Sequence, residues 1–113
     1  MTDYEYGDII LVPFPFTDQT TFKKRPATVA SSSVYNSMRP DLVLMPITSQ
    51  MRPVAWFGEV AIKGWKAAGL LRPSVIKPIF TTLDKGLVLR KLGRLEQEDR
   101  SCLREALRKL LGE

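Results

Sequence analysis

The run "TFKKRPATVASSS", Thr21 to Ser33, sets Lys23, Lys24 and Arg25 side by side, directly before Pro26 and a β-type segment. Cations at a strand entry are held in place, unlike those of a solvated tail. Their chemistry suits an anion: Arg presents a planar fork of donors that meets phosphate oxygens in pairs, and Lys adds a point charge. A second polar group stands in "PITSQMR", where Thr48, Ser49 and Gln50 leave an apolar strand and Arg52 follows. Hydroxyls at a strand exit, beside a cation at a neighbouring strand entry, can converge on one phosphate, with threonine as a neutral donor to the same oxygens. Each stretch also has a plainer reading. "PITSQ" is equally a polar turn ending a strand, and the cations equally a charged edge that blocks edge-to-edge pairing.

What the chain lacks narrows the chemistry. It has no His and one Cys, so a His/Cys zinc site, a Ser-His-Asp system and a Cys-His pair are all excluded. It contains no phosphate-cradling glycine loop of the GxxxxGK[ST] or GxGxxG kind, and its acids are scattered, with no DxD-like cluster in the β region to hold magnesium. Any catalysis must come from Arg, Lys, hydroxyl and backbone groups.

The elements that must position these groups are mostly strands. "GDIILVPFPF" begins as a strand, and because Pro13 and Pro15 deny two N–H donors, that strand must end or lie at an edge there. A second strand is expected from about Pro26 to Ser33. "SVYNSMRPD" reads as a turn, and "LVLMPITS" as a third strand buried on both faces or nearly so from Leu42 to Met45. "WFGEVAIK" gives a short fourth strand, "GWKAAGLLRPS" a loop or single helical turn, and "VIKPIFTTLD" and "LVLRKLG" the last β segments. The period then changes: Leu103, Ala106, Leu107, Leu110 and Leu111 recur at helical steps, with acids at the start, Arg108 and Lys109 at the end and Gly112 as a stop. Glu105 and Lys109 stand four apart, in the favourable order. Short strands closed by one helix predict a mainly β fold, a small barrel or coiled antiparallel sheet with the helix over its open end.

A chain of 113 residues, 44% hydrophobic and 26% charged, is expected to form one globular domain over residues 1–113. A lone Cys102, an acidic first stretch "MTDYEYGD" and no apolar run near the ~18 residues of a membrane span lead to the expectation of a soluble, cytoplasmic protein. The net charge of +5 is unevenly spread: −4 over residues 1–18, +10 over 19–94 and −1 over 95–113. Such a basic middle is the footprint of a polyanion partner, and also of a plain high-pI surface.

In this order and spacing, Gly7-Asp8 with "IILVPFPF", Arg25-Pro26-Ala27, Pro46-Ile47-Thr48-Ser49, "SVIKPIFTTLDK", "LGRL" and the terminal helix resemble the MazF/PemK family, from Gly7 to Leu111. These are toxins of bacterial type II toxin–antitoxin systems. The resemblance implies an SH3-like/CcdB-like β-barrel with a C-terminal α-helix, a homodimer, and a metal-independent, sequence-selective endoribonuclease acting on single-stranded RNA. It also implies a MazE-like antitoxin whose C-terminal segment lies over the RNA groove, and no cofactor. Carried over to this chain, the catalytic pair is Arg25 and Thr48. The RNA-binding positions are Asp18, Gln19, Thr20, Lys23, Lys24, Ser49, Arg52 and Lys77. The chain departs from the family where many members carry Gly-Gly before the arginine; here Thr20 to Lys24 make that loop stiffer and more basic. Pro78, Ile79 and Phe80 replace polar base-reading residues, with Phe80 expected in the core. Phe16, Phe22 and Trp56 are candidate stacking platforms for bases.

The expected reaction is in-line attack by the ribose 2′-OH on its own 3′-phosphate, leaving a 2′,3′-cyclic phosphate and a 5′-OH. Arg25 would neutralise the phosphorane oxygens, since a guanidinium that stays protonated makes a poor base. Thr48 would donate to a phosphate oxygen or orient the 2′-OH. Water, a phosphate oxygen or Asp18 could take the proton. Two other functions fit the same residues: a non-catalytic toxin-like barrel that binds a protein target such as gyrase, and a basic barrel that binds RNA without cutting it.

Overall fold

The computed structural model describes residues 3–15 and 22–112. Among the described residues seven strands run β1 (Asp8–Pro15), β2 (Phe22–Val29), β3 (Asp41–Thr48), β4 (Val60–Ile62), β5 (Ser74–Ile76), β6 (Thr81–Asp84) and β7 (Arg90–Arg94), with helices α1 (Ser33–Met38) and α2 (Gln97–Leu110). Every pairing among them is antiparallel, in the order β4-β5-β3-β2-β1-β7 with β6 also on β3. Strand β3 turns the corner. Its first half pairs with β6 and its last two residues with β5, so the sheet curls into a half-barrel.

Alternation along the strands feeds two apolar clusters, one on each face. Ile10, Val12, Ala27, Val29, Leu42 and Leu44 fill the first. Ile9, Met45, Ile47, Ile62, Ile76 and Leu95 form the second, and Leu103 of α2 closes it, with Ala106 and Leu107 packed alongside. The buried Asp99 carboxylate docks this helix by accepting the N–H groups of Lys63 and Gly64, at 3.0 and 2.9 Å. The helix stops as expected, with Gly112 at φ 80° just beyond the cap residue Leu111. Leu111 itself is exposed, and Glu105 pairs with Arg108 rather than Lys109.

The prolines explain where strands continue and where they part. Pro13 and Pro15 do not end β1. Leu11 O accepts from Leu89 N on the β7 side, and Pro13 and Pro15, two and four residues on, face that same side beyond the last β7 partner, Arg90. Their missing donors lie at an edge, which is the second alternative that the sequence allowed. Strand β2 begins at Phe22, not Pro26, because its early residues pair with Pro13, Phe14 and Pro15, and it ends at Val29 rather than Ser33. Pro26 falls in phase with Ala30, whose N–H bonds Val43 O at 2.8 Å. Having no N–H for Ile47, it lies where the β2–β3 ladder stops, at Ala27↔Pro46.

The segment expected to be a turn after Ser33 is a short helix instead. Ser32 caps it, its Oγ accepting from Tyr35 N, and the buried Asn36 donates to Tyr4 O and Ser31 O. The segment after Ile62 is the single helical turn anticipated, with Ala68 N bonded to Gly64 O.

Candidate functional site

Past Pro26 the two strands separate, and a cavity of about 480 Å³ opens between them. Continuing the register Ala27↔Pro46 outward by two residues brings Arg25 level with Thr48, and both line that cavity. Residues remote in sequence thus meet because one proline ends a ladder. Arg25 is half-buried, with its Nε shielded from solvent. The Thr48 hydroxyl oxygen accepts from Gln50 N at 3.1 Å, which leaves its proton free to donate to a ligand.

Lys23, Lys24 and Ser49 line the same cavity, as expected. Arg72 and Arg90 line it too, and neither has a local sign in the sequence. Arg72 lies ahead of β5, whose first pairs set Val75 beside Thr48, and Arg90 stands opposite Leu11, itself opposite Pro26. Only the folded register brings them in. Among the described residues the lining carries five cations and no carboxylate. Like charges in one concavity raise each other's energy until an anion enters, so the site is electrostatically fitted to phosphate. Asp18, Gln19 and Thr20 lie outside the described residues, as does Phe16.

Arg52 and Lys77 do not join this cavity. Both meet the Glu59 carboxylate, whose side chain is only 3% exposed, Lys77 Nζ at 2.6 Å. The Lys77 ammonium, the Trp56 N–H and the Arg52 charge hold Glu59 down at a pKa of about 2, against the desolvation that opposes them. These two cations hold a carboxylate of their own chain and fasten the segment between β3 and β4. The Arg52 guanidinium also lies 3.7 Å from the Trp56 ring centroid, so one face of that expected stacking platform is covered. Phe80, expected in the core, is 41% exposed, because the chain between β5 and β6 leaves the sheet at Lys77–Phe80.

A family model described as PemK-like, MazF-like toxin of type II toxin–antitoxin system matches residues 5–111. The chain belongs to this family. Solved structures agree on the fold. An endoribonuclease from a Mycobacterial species superposes with a TM-score of 0.78 at 20% identity, covering 99% of this chain and 94% of the other. A MazE-MazF structure from Deinococcus radiodurans gives 0.77 at 22% identity, covering 99% and 98%. A Mycobacterial endoribonuclease in complex with its cognate antitoxin gives 0.75 at 20% identity, covering 99% and 96%. No curated protein matches the sequence. The PemK-like, MazF-like fold therefore spans nearly the whole chain, and the basic cavity sits where its curled sheet parts.

Proposed function

We propose that this toxin-family protein is an endoribonuclease that cleaves single-stranded RNA with sequence selectivity and without a metal. The observation that carries the reading is the shared cavity: Arg25 and Thr48 line it together, with further cations and, among the described residues, no acid. Its fold relatives, endoribonucleases and a MazE-MazF pair, point the same way.

The nucleophile is the substrate's own 2′-OH, so the protein's work is to fix the attack angle and stabilise charge on the phosphorane. The 2′-oxygen bonds phosphorus as its proton passes to water, a phosphate oxygen or Asp18. The P–O5′ bond breaks as the 5′-oxygen takes a proton from water, giving a 2′,3′-cyclic phosphate and a 5′-OH end. Arg25 holds the non-bridging oxygens with its fixed positive charge. Thr48 donates a hydrogen bond from its hydroxyl to one of them while Gln50 N donates to the hydroxyl oxygen. Lys23, Lys24 and Ser49 draw in and align the backbone. A single strand is required because the attack geometry departs from A-form stacking, and base edges are legible only when unstacked.

The family also suggests the company that the protein keeps, in the cytoplasm: a second copy of itself and a MazE-like antitoxin covering the cavity. Exposed Val54, Trp56 and Phe57, between β3 and β4, provide apolar surface for such partners. The test is incubation with a long single-stranded RNA in EDTA, followed by sequencing of the ends. Discrete fragments bearing 5′-OH termini are expected. Retarded but intact RNA would show a binder, and RNA left wholly unaffected would point to a protein target.

A further inference from the structure

The arginines of this fold divide by location. Away from the cavity, Arg39, Arg52, Arg94 and Arg108 each meet a carboxylate, Arg100 donates to the Leu95 carbonyl, and Arg104 lies over the Tyr6 ring. Arg72 and Arg90 line the cavity. Among the described residues neither of these two guanidinium groups has an ion pair, hydrogen bond or ring contact. Every arginine outside the cavity is engaged within the chain, while these two are exposed on its lining.

Backbone packing sets them on one wall. Gly69 has φ +95°, and a Cβ there would fall 2.3 Å from Leu92 O; a Cβ on Gly93 would fall 2.1 Å from Ala68 O. Main chain therefore lies directly on main chain, with no side chain between. Arg72 leaves just after this contact on one segment, and Arg90 just before it on β7. Across the sheet, Arg90 is opposite Leu11 and Leu11 opposite Pro26, which puts Arg90 two interstrand steps, ~10 Å, from the Arg25–Pro26 end of the cavity. One phosphodiester carries a single negative charge, and cannot balance cations spread over that span.

We propose that Arg72 and Arg90 form a second phosphate subsite, which takes a phosphodiester flanking the scissile one. The term "scissile" rests on the ribonuclease reading; the subsite itself requires only a nucleic-acid strand. Its contacts persist through the reaction, so it acts on binding and register and leaves the chemical step alone.

The first measurement does not depend on cleavage. A short random-sequence 2′-O-methyl RNA pool is titrated by fluorescence anisotropy over a range of KCl concentrations, with wild type, R72Q/R90Q, R72K/R90K and R108Q. Removing one phosphate contact from a single strand should lower the slope of log K against log salt by about 0.7 and weaken binding about tenfold. R72K/R90K should keep most of the slope and R108Q all of it. Equal affinity and slope for R72Q/R90Q and wild type overturn the subsite, as does an equal loss in R72K/R90K, which would trace the effect to packing.

The second measurement walks a neutral methylphosphonate along a cleavable oligonucleotide. One position beside the cut should raise KM in wild type and lose that effect in R72Q/R90Q, with kcat little changed. Full additivity at every position overturns the proposal. If wild type cuts nothing while the salt slope still falls in R72Q/R90Q, the ribonuclease reading fails and the phosphate subsite stands.

Discussion

In the proposed reaction Arg25 and Thr48 have different tasks at one oxyanion. A guanidinium supplies charge in a fixed plane, whereas the Thr48 hydroxyl supplies a single oriented proton because Gln50 N occupies its oxygen. T48V keeps the shape and removes that proton, so the cleavage rate should fall about a hundredfold, the usual cost of one oxyanion donor, with RNA affinity nearly unchanged; single-turnover kinetics beside anisotropy would check it. The sequence offered the two together through a cationic strand entry, a hydroxyl-bearing strand exit and the family resemblance, and the fold sets both on one cavity. Arg52 and Lys77 were legible only as cations. Neither lines the cavity with Arg25, because Glu59, seven and eighteen residues away, takes both, and no local pattern announces such a match. Arg72 and Arg90 were hidden for the converse reason, since nothing near them in sequence says that their segments touch.

Strands and loops decide how these side chains are held. The β-segments and α2 could be read from period, but the start of β2 could not. Lys-Lys-Arg has no strand signature of its own, and it is the pairing with Phe14, Pro13 and Val12 that draws it in. The first helix was missed because its Ser, Asn and Pro neighbours are turn formers, and the Ser32 cap and the Asn36 hydrogen bonds outweigh them. Two predictions belong at this scale. G93A must push β7 away from the Ala68 carbonyl, at a cost of ~1–3 kcal/mol; urea unfolding should show that loss, and RNA binding should weaken with it as Arg90 shifts against Arg72. The Glu59 contacts make the segment between β3 and β4 acid-sensitive. Folding lowers this carboxyl from 4.5 to about 2, so the folded state holds fewer protons there and the stabilisation is full above pH 4.5. It is lost as pH falls from there through about 2. The stability difference between wild type and E59Q, measured by urea midpoints, should be steady from pH 7 to 5 and shrink below that.

At the scale of the molecule, the curled sheet and its closing helix work to keep one gap open. Two apolar clusters make the half-barrel rigid on both faces, and α2 seals one of them through Leu103. The basic middle of the sequence then has a location: its charges from β2, from the chain before β5 and from β7 come together round that gap, while Arg52 and Lys77 are neutralised elsewhere. Charge distribution along the chain fitted either a polyanion partner or a plain basic surface; only the fold separates the cations that line the cavity from those that hold Glu59. The most direct test compares wild type with R25A on an RNA carrying the mapped cut site, in EDTA, under single-turnover conditions and with unfolding midpoints measured in parallel. A rate lower by about a hundred- to a thousandfold in a variant that stays folded is the expected result. Cleavage by folded R25A within threefold of wild type would contradict a phosphate held between Arg25 and Thr48.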